Sequence, residues 1–463
     1  MEDLTKRLSE YIAHETFLTL PPHIKAEIKR RILDYCGVVL AGSMRMESRI
    51  MHKIVRELGG TEESTLFGFG DRTSCLNAAL ANGTTSHIVE LGDWTKYLMH
   101  PGETMLSAAF ALGERERVNG QLFMSAAVVG YEAELRIALA GNPGIRMRGF
   151  HTIGTVGPFG AAAACSKILG FDADLVEQSL GLAGSQSAGL LIFLEGGGSM
   201  SKRLQAGKAN YSGLLAALLA REGFIGPRRI LESDKGFFKA FVQWNEYPYH
   251  MERVLDGLGE RYEIMKTNIK IHSCCGPLHP GLDALETIVK ENGVEEGNIE
   301  KIVVRSFLNA VDGHEEIAPD TVVGATMSYP YCIAALLMTG RVLVTEFTEE
   351  KLKDREFMNK VEEIGQKCEI VLDPEIDRAY PEKYSALVRV ITKDGKSYER
   401  FVENPRGFYP ENPVSDEQLR EKFRILATQV LTEKEAEQII EIVDSLEELN
   451  DINQVTKLLY PQK

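Results

Sequence analysis

Two histidines, two lysines, a tyrosine and a cysteine stand in local settings that suit proton transfer beside an anion. His151 follows Gly149-Phe150 and precedes a run containing Gly154, Gly157 and Gly160. An imidazole takes or gives a proton near neutral pH. The glycines read as a turn that lets backbone approach a small ligand. His100 opens His100-Pro101-Gly102-Glu103, a loop ahead of a small-residue helix, and His87-Ile88-Val89-Glu90-Leu91-Gly92-Asp93-Trp94 lies just upstream. Glu90 and Asp93 each fit either a carboxylate at a ligand site or a helix cap. Lys202, Arg203 and Lys208 follow Gly196-Gly197-Gly198. A helix N-terminus with a nearby lysine is a ready anion site, although the phosphate-loop spacing is missing. Lys270 and Cys275 fall within Lys270-Ile271-His272-Ser273-Cys274-Cys275-Gly276-Pro277-Leu278-His279, where His272 or His279 is placed to lower a thiol's pKa. Tyr331, at the start of an apolar helix, is either core packing or a phenolic acid. This set suits removal of a proton next to a carboxylate, with lysines stabilising the enolate-like charge.

The elements that must hold these residues change in texture along the chain. With 463 residues, two domains are the expectation. Residues 1–265 read mostly as helix, with Pro21-Pro22 starting one. Ala- and Gly-rich segments from Thr104 to Leu112, Gly160 to Leu169 and Gly207 to Ala220 allow close helix crossings. Strand patterns begin later, at Lys301–Arg305, Glu369–Leu372, Ala386–Thr392 and Ser397–Phe401, the last two flanking Lys393-Asp394-Gly395-Lys396, a hairpin signal. Ser415-Asp416-Glu417-Gln418 and Thr432-Glu433-Lys434-Glu435 read as capping boxes of a helical tail. The expected fold is mainly α. A large helical domain of residues 1–265 and 406–463, discontinuous because the C-terminal helices return to it, carries a smaller α+β lid domain of residues 266–405.

Composition removes several classes of function. A net charge of -15 argues against nucleic-acid binding. The apolar runs are too short to span a bilayer. Seven cysteines without framework spacing read as reduced thiols of a cytoplasmic protein. No common metal-ligand motif is present, so no metal and no cofactor are expected.

The chain resembles the MmgE/PrpD family along nearly its whole length. The resemblance rests on Ala81-Asn82-Gly83 through His87, His100-Pro101-Gly102, Gly130-Tyr131-Glu132 with Arg136, Gly149-Phe150-His151, Gly181 to Ser185, Lys202 with Gly207, Gly223 to Pro227, Lys270 with Cys275, His279 and Asp283, and Ser328 to Ala334. It implies a homodimer doing metal-free chemistry on small polycarboxylates between two domains. It also implies that His100, His151, Lys202, Lys270 and Tyr331 are active-site residues, with Cys275 where some members carry histidine. The expected catalytic residues are His151, His100, Tyr331 and Lys202, and the expected substrate contacts are Lys270, Glu90, Asp93, Cys275 and Arg203. Members that dehydrate or decarboxylate carry Asp-x-Asp-Asp-Thr where this chain has Glu90-Leu91-Gly92-Asp93-Trp94. The expected activity is that of a lyase of the 2-methylcitrate dehydratase type. The alternatives are an epimerase of the iminodisuccinate type, a decarboxylase of the cis-aconitate type, and a non-catalytic polycarboxylate-binding homologue.

Overall fold

The computed structural model describes residues 3–96, 99–194, 199–242 and 249–462. It is mainly helical, with one four-stranded sheet and one pair of two-residue strands. Pro22 lies in the first turn of the helix Pro22–Ser43, where its missing N–H leaves no hydrogen bond unmade. That helix packs against the helices Cys75–Ser86, Pro101–Glu116 and Asp416–Ala427. The C-terminal helices thus pack on the N-terminal helices. A Cβ on Gly37 would lie 3.1 Å from Phe423 Cδ2, so glycine is what lets the returning helix settle. Both tail helices begin with the capping boxes read from the sequence, Ser415 with Gln418 and Thr432 with Glu435.

The segment after His151 departs from the expected turn. His151 is the N-cap residue of the helix Thr152–Ile168, and Gly154, Gly157 and Gly160 lie inside that helix. A Cβ on Gly154 would stand 2.2 Å from the Ala188 carbonyl oxygen, and one on Gly157 2.9 Å from the Ala209 Cβ. Spacing by three places the glycines along one flank of the helix. Their role is close crossing, chiefly with the helices Gly120–Gly141 and Ser201–Arg221.

The second body is built on a sheet of order β4-β3-β5-β6. Here β1 is Ser64–Thr65 and β2 is Arg72–Thr73 of the N-terminal body, β3 is Ile299–Ser306, β4 is Cys368–Leu372, β5 is Ala386–Thr392 and β6 is Ser397–Val402. β3 pairs in parallel with β4 and antiparallel with β5. The β5–β6 turn places Gly395 at φ 81°, as an Asp-Gly hairpin requires. Buried Ala386, Val388 and Val390 alternate along β5 and face the helix His279–Asn292.

Apolar packing forms two main clusters. One gathers residues from Leu4 to Ile269 and from Val414 to Leu459. The other gathers residues from Cys274 to Phe408, joined by Trp94. Trp94 exchanges backbone hydrogen bonds with Asn268 at 3.0 and 2.7 Å, and its ring packs edge-on to Tyr384 and Phe408. A residue of the N-terminal region is thereby built into the second core. Among the described residues no single helix is long and apolar enough to cross a membrane.

Candidate active site

The loop after the helix Cys75–Ser86 carries Glu90 into a nest of cations. Glu90 has φ 53°, an uncommon backbone state for a residue with a side chain. Its carboxylate meets Lys202 Nζ at 2.5 Å, Arg203 Nη1 at 3.1 Å and Lys270 Nζ at 3.5 Å, while its carbonyl accepts from Lys270 at 3.0 Å. Lys202 and Arg203 come from the first turn of the helix Ser201–Arg221, and Lys270 from the strand-like segment beside Trp94. Burial favours the protonated form of Glu90, but Lys202, Arg203 and Lys270 together hold its carboxyl well below the usual range. One carboxylate facing three cations leaves the nest positive, which suits an incoming polyanion. The expected glycine approach, Gly196-Gly197-Gly198, lies outside the described residues.

Two imidazoles flank this nest, and His151 is oriented by a hydrogen-bond partner. His151 Nδ1 lies 2.5 Å from Gln205 Oε1, and the Gln205 amide donates to the Leu190 carbonyl at 3.0 Å. That second bond fixes which end of the amide faces the ring. Nδ1 therefore carries the hydrogen, and Nε2 keeps its lone pair. The backbone assists: His151 N–H donates to Gly189 O, and Leu191 N–H to Gly149 O. Burial, then Lys202 and His87, lower the proton affinity of His151 well below the ordinary histidine value, so the free protein holds a neutral base. His100, at the N-cap of the helix Pro101–Glu116, is likewise held neutral by burial, Lys270 and His87.

Behind His100, the Glu103 side chain hydrogen-bonds His87 Nδ1 and comes 3.6 Å from His100 Nδ1. Burial pushes Glu103 up and His87 down, making this a carboxylic acid against a neutral imidazole. A Cβ on Gly92 would fall 2.0 Å from Glu103 Oε1. Glu103 thus fills the space that any side chain at position 92 would need.

Lys202 and Cys275 reach a cavity of about 430 Å³ whose walls also include Arg146, Phe193 and His314. His151 stands behind Phe193, with ring centroids 4.8 Å apart. Burial opposes ionisation of Cys275, yet His314, Lys202 and Lys270 hold its thiol below the ordinary range. His314, opposed by burial, is raised to about 9 by Cys275 and by its bond to the Met327 carbonyl. His314 thus favours the thiolate form of Cys275, and Cys275 the protonated form of His314. The thiol's partner is therefore His314, not His272 or His279. His272 is taken up by Asp283 at 2.9 Å, and His279 packs edge-on against the His272 ring. His314 was missed because it sits in the acidic turn Asp312-Gly313-His314-Glu315-Glu316, with no local pattern pointing to a cysteine so distant in sequence.

Two expected site residues lie elsewhere. Asp93 accepts from the Gly102 backbone N–H at 3.0 Å and from the Tyr131 hydroxyl at 2.7 Å. It anchors the start of the helix bearing His100, and burial raises its carboxyl to about 7. Tyr331 is fully buried among Phe347 and Phe357, and its hydroxyl donates to the Glu346 carbonyl at 2.7 Å. A core position with a satisfied hydroxyl explains both its place and its distance from the cavity lining.

Among the described residues, two groups of side chains have metal-ligand proximity: His87, His100 and Glu103, and His272, Asp283 and Glu286. Lys270 and Lys202 act electrostatically on the first group, which disfavours a second cation there. The Arg406 guanidinium already neutralises both acids of the second.

Comparison with known proteins decides the family. The MmgE/PrpD N-terminal domain matches residues 6–250 and the MmgE/PrpD C-terminal domain matches residues 272–448. The chain belongs to the MmgE/PrpD family. Among the relatives of this MmgE/PrpD protein is a "cis-aconitate decarboxylase-like protein oryM" of Aspergillus oryzae, 30% identical over 99% of this chain and 97% of its own length. The cis-aconitate decarboxylase of Aspergillus terreus is 30% identical over 85% of this chain and 83% of its own. That of Homo sapiens is 26% identical over 93% and 89%.

Proposed function

We propose that this MmgE/PrpD protein is a cofactor-independent lyase acting on a small polycarboxylate, and that its reaction is decarboxylation of a tricarboxylate of the cis-aconitate type. The observation that carries the reading is the nest of Lys202, Arg203 and Lys270 around Glu90, flanked by the imidazoles of His151 and His100. The names of relatives matched over most of their length support the choice of decarboxylation.

The chemistry follows from charge. Lys202 and Lys270 hold substrate carboxylates. The bond to the departing carboxylate breaks, and its electron pair becomes a new double bond. The displaced alkene pair takes a proton at its far carbon, so one proton is consumed and carbon dioxide leaves. The free protein's imidazoles are neutral because burial and cations disfavour their charge. A bound trianion reverses that balance, and His151 or His100 takes up the proton it then delivers.

Dehydration of a 2-hydroxy tricarboxylate is the second reading. The neutral imidazole of the free protein favours it, since that reaction begins with a base removing a proton next to a carboxylate. Incubation of the purified protein with cis-aconitate, citrate and 2-methylcitrate separates the two, with carbon dioxide and alkene followed independently. Carbon dioxide release from cis-aconitate, lost in His151→Asn and Lys202→Met variants that stay folded, is the expected result. Alkene formation from a hydroxy acid without carbon dioxide replaces decarboxylation by dehydration. Full activity in both variants removes the site assignment.

A further inference from the structure

The fully buried arginines of this chain, Arg31, Arg136 and Arg203, are matched to carboxylates. Arg136 pairs with Glu132 and donates to the carbonyls of Asp256 and Arg261. Arg31 pairs with Glu27 and donates to the Thr267 carbonyl. Arg203 pairs with Glu90. Arg146, in the short helix Gly144–Met147 that leads to His151, has no such match. Its side chain is partly buried and lines the cavity with Lys202, Cys275 and His314. Among the described residues no ion pair or hydrogen bond engages its guanidinium.

The charges around Arg146 do not supply the missing partner. Its electrostatic neighbours are Tyr380, Cys275 and Tyr384, all from the second body, and burial disfavours its charged form. Asp312 and Glu316 also line the cavity, but neither forms an ion pair with it. A guanidinium partly withdrawn from water without an ion-pair partner is poised to take one from solution, and its planar fork matches a carboxylate. Arg146 also acts electrostatically on His151, so it lies near the reacting region without belonging to the nest around Glu90.

We propose that Arg146 receives one substrate carboxylate that does not react, and that it makes the cavity select a tricarboxylate over either dicarboxylate obtained by deleting one carboxyl group. This inference rests on the reading of the cavity as a polycarboxylate site, and it adds the residue that counts the carboxylates. Lys202 holds the end of the molecule where the nest meets the cavity, and Arg146 holds another carboxylate within the same cavity.

The test is calorimetric binding of propane-1,2,3-tricarboxylate, 2-methylsuccinate and glutarate to wild type, Arg146→Gln and Arg146→Lys, together with steady-state kinetics on cis-aconitate. Wild type is expected to bind the tricarboxylate most tightly. Arg146→Gln is expected to weaken it about 10–100-fold, the loss of one charge-assisted contact, down to the level of the dicarboxylates. KM is expected to rise more than kcat falls, and Arg146→Lys to recover part of the loss. If wild type binds the tricarboxylate and Arg146→Gln binds it equally well, the role of Arg146 is overturned. If wild type binds and converts none of these acids, the polycarboxylate reading itself fails, and this inference fails with it.

Discussion

Glu90 is the residue on which the site's electrostatics turn. Among the described residues it is the one carboxylate paired with Lys202, Arg203 and Lys270, it sits in the left-handed backbone region, and the neighbouring Leu91 carbonyl is held by buried Lys422 at 2.7 Å. Replacing Glu90 by Gln leaves three buried cations facing one another. Breaking a buried ion pair from one side costs about 3–5 kcal/mol, so chemical denaturation at neutral pH is expected to show a loss of that size. The sign with pH follows from the depressed carboxyl: its stabilisation is present above the unfolded-state value and is lost as pH falls through the folded-state value. The gap between wild type and Glu90→Gln is therefore expected to narrow in acid. Equal stability at neutral pH, or a gap that widens in acid, contradicts the picture of Glu90 as the nest's counter-charge. Much of this was legible beforehand. Lys202, Arg203, Lys270 and Glu90 were all singled out, because a carboxylate and cations beside glycine-rich or loop sequence advertise themselves. Arg146, Gln205 and His314 were not, because each gains its meaning from a partner far away in sequence.

At the scale of elements, sequence periodicity carried the helices, the sheet and the hairpin, but misjudged the glycines after His151. Glycine spacing alone does not distinguish a turn from a helix flank pressed against neighbours. The structure decides by proximity: the Ala188 carbonyl lies where a Gly154 Cβ would go, and Ala188 directly precedes the Gly189-Leu190 segment that orients His151 and Gln205. Gly154→Ala therefore pushes the 188–190 segment away from the helix Thr152–Ile168. Overpacking of this kind costs about 1–3 kcal/mol. The larger expected effect is on kcat, since misplacing a catalytic group by about an ångström costs on the order of 100-fold. Melting and turnover measured on the same sample check this. An unaltered kcat shows that the 188–190 segment does not position His151.

At the scale of the molecule, the two bodies are joined where the sequence departs most from the family's acidic motif. Trp94 stands where the Thr of that motif is found, and its ring lies in the second apolar cluster against Tyr384 and Phe408 while its backbone bridges to Asn268. Lys270, two residues beyond Asn268, belongs to the nest, so packing of Trp94 and placement of Lys270 are mechanically linked. Trp94→Ala removes a buried indole, a change that costs about 3–5 kcal/mol, and the loss falls on the second body rather than on the helical core. Hydrogen exchange is expected to quicken in β3, β5 and the helix His279–Asn292, with little change in the helices Gly120–Gly141 and Thr152–Ile168. Polycarboxylate affinity is expected to fall as Lys270 loses its support, and Trp94→Phe, which keeps an aromatic ring, is expected to recover most of both. Acceleration spread evenly over both bodies means that they unfold as one unit, and affinity unchanged in Trp94→Ala means that Lys270 is held by the nest alone.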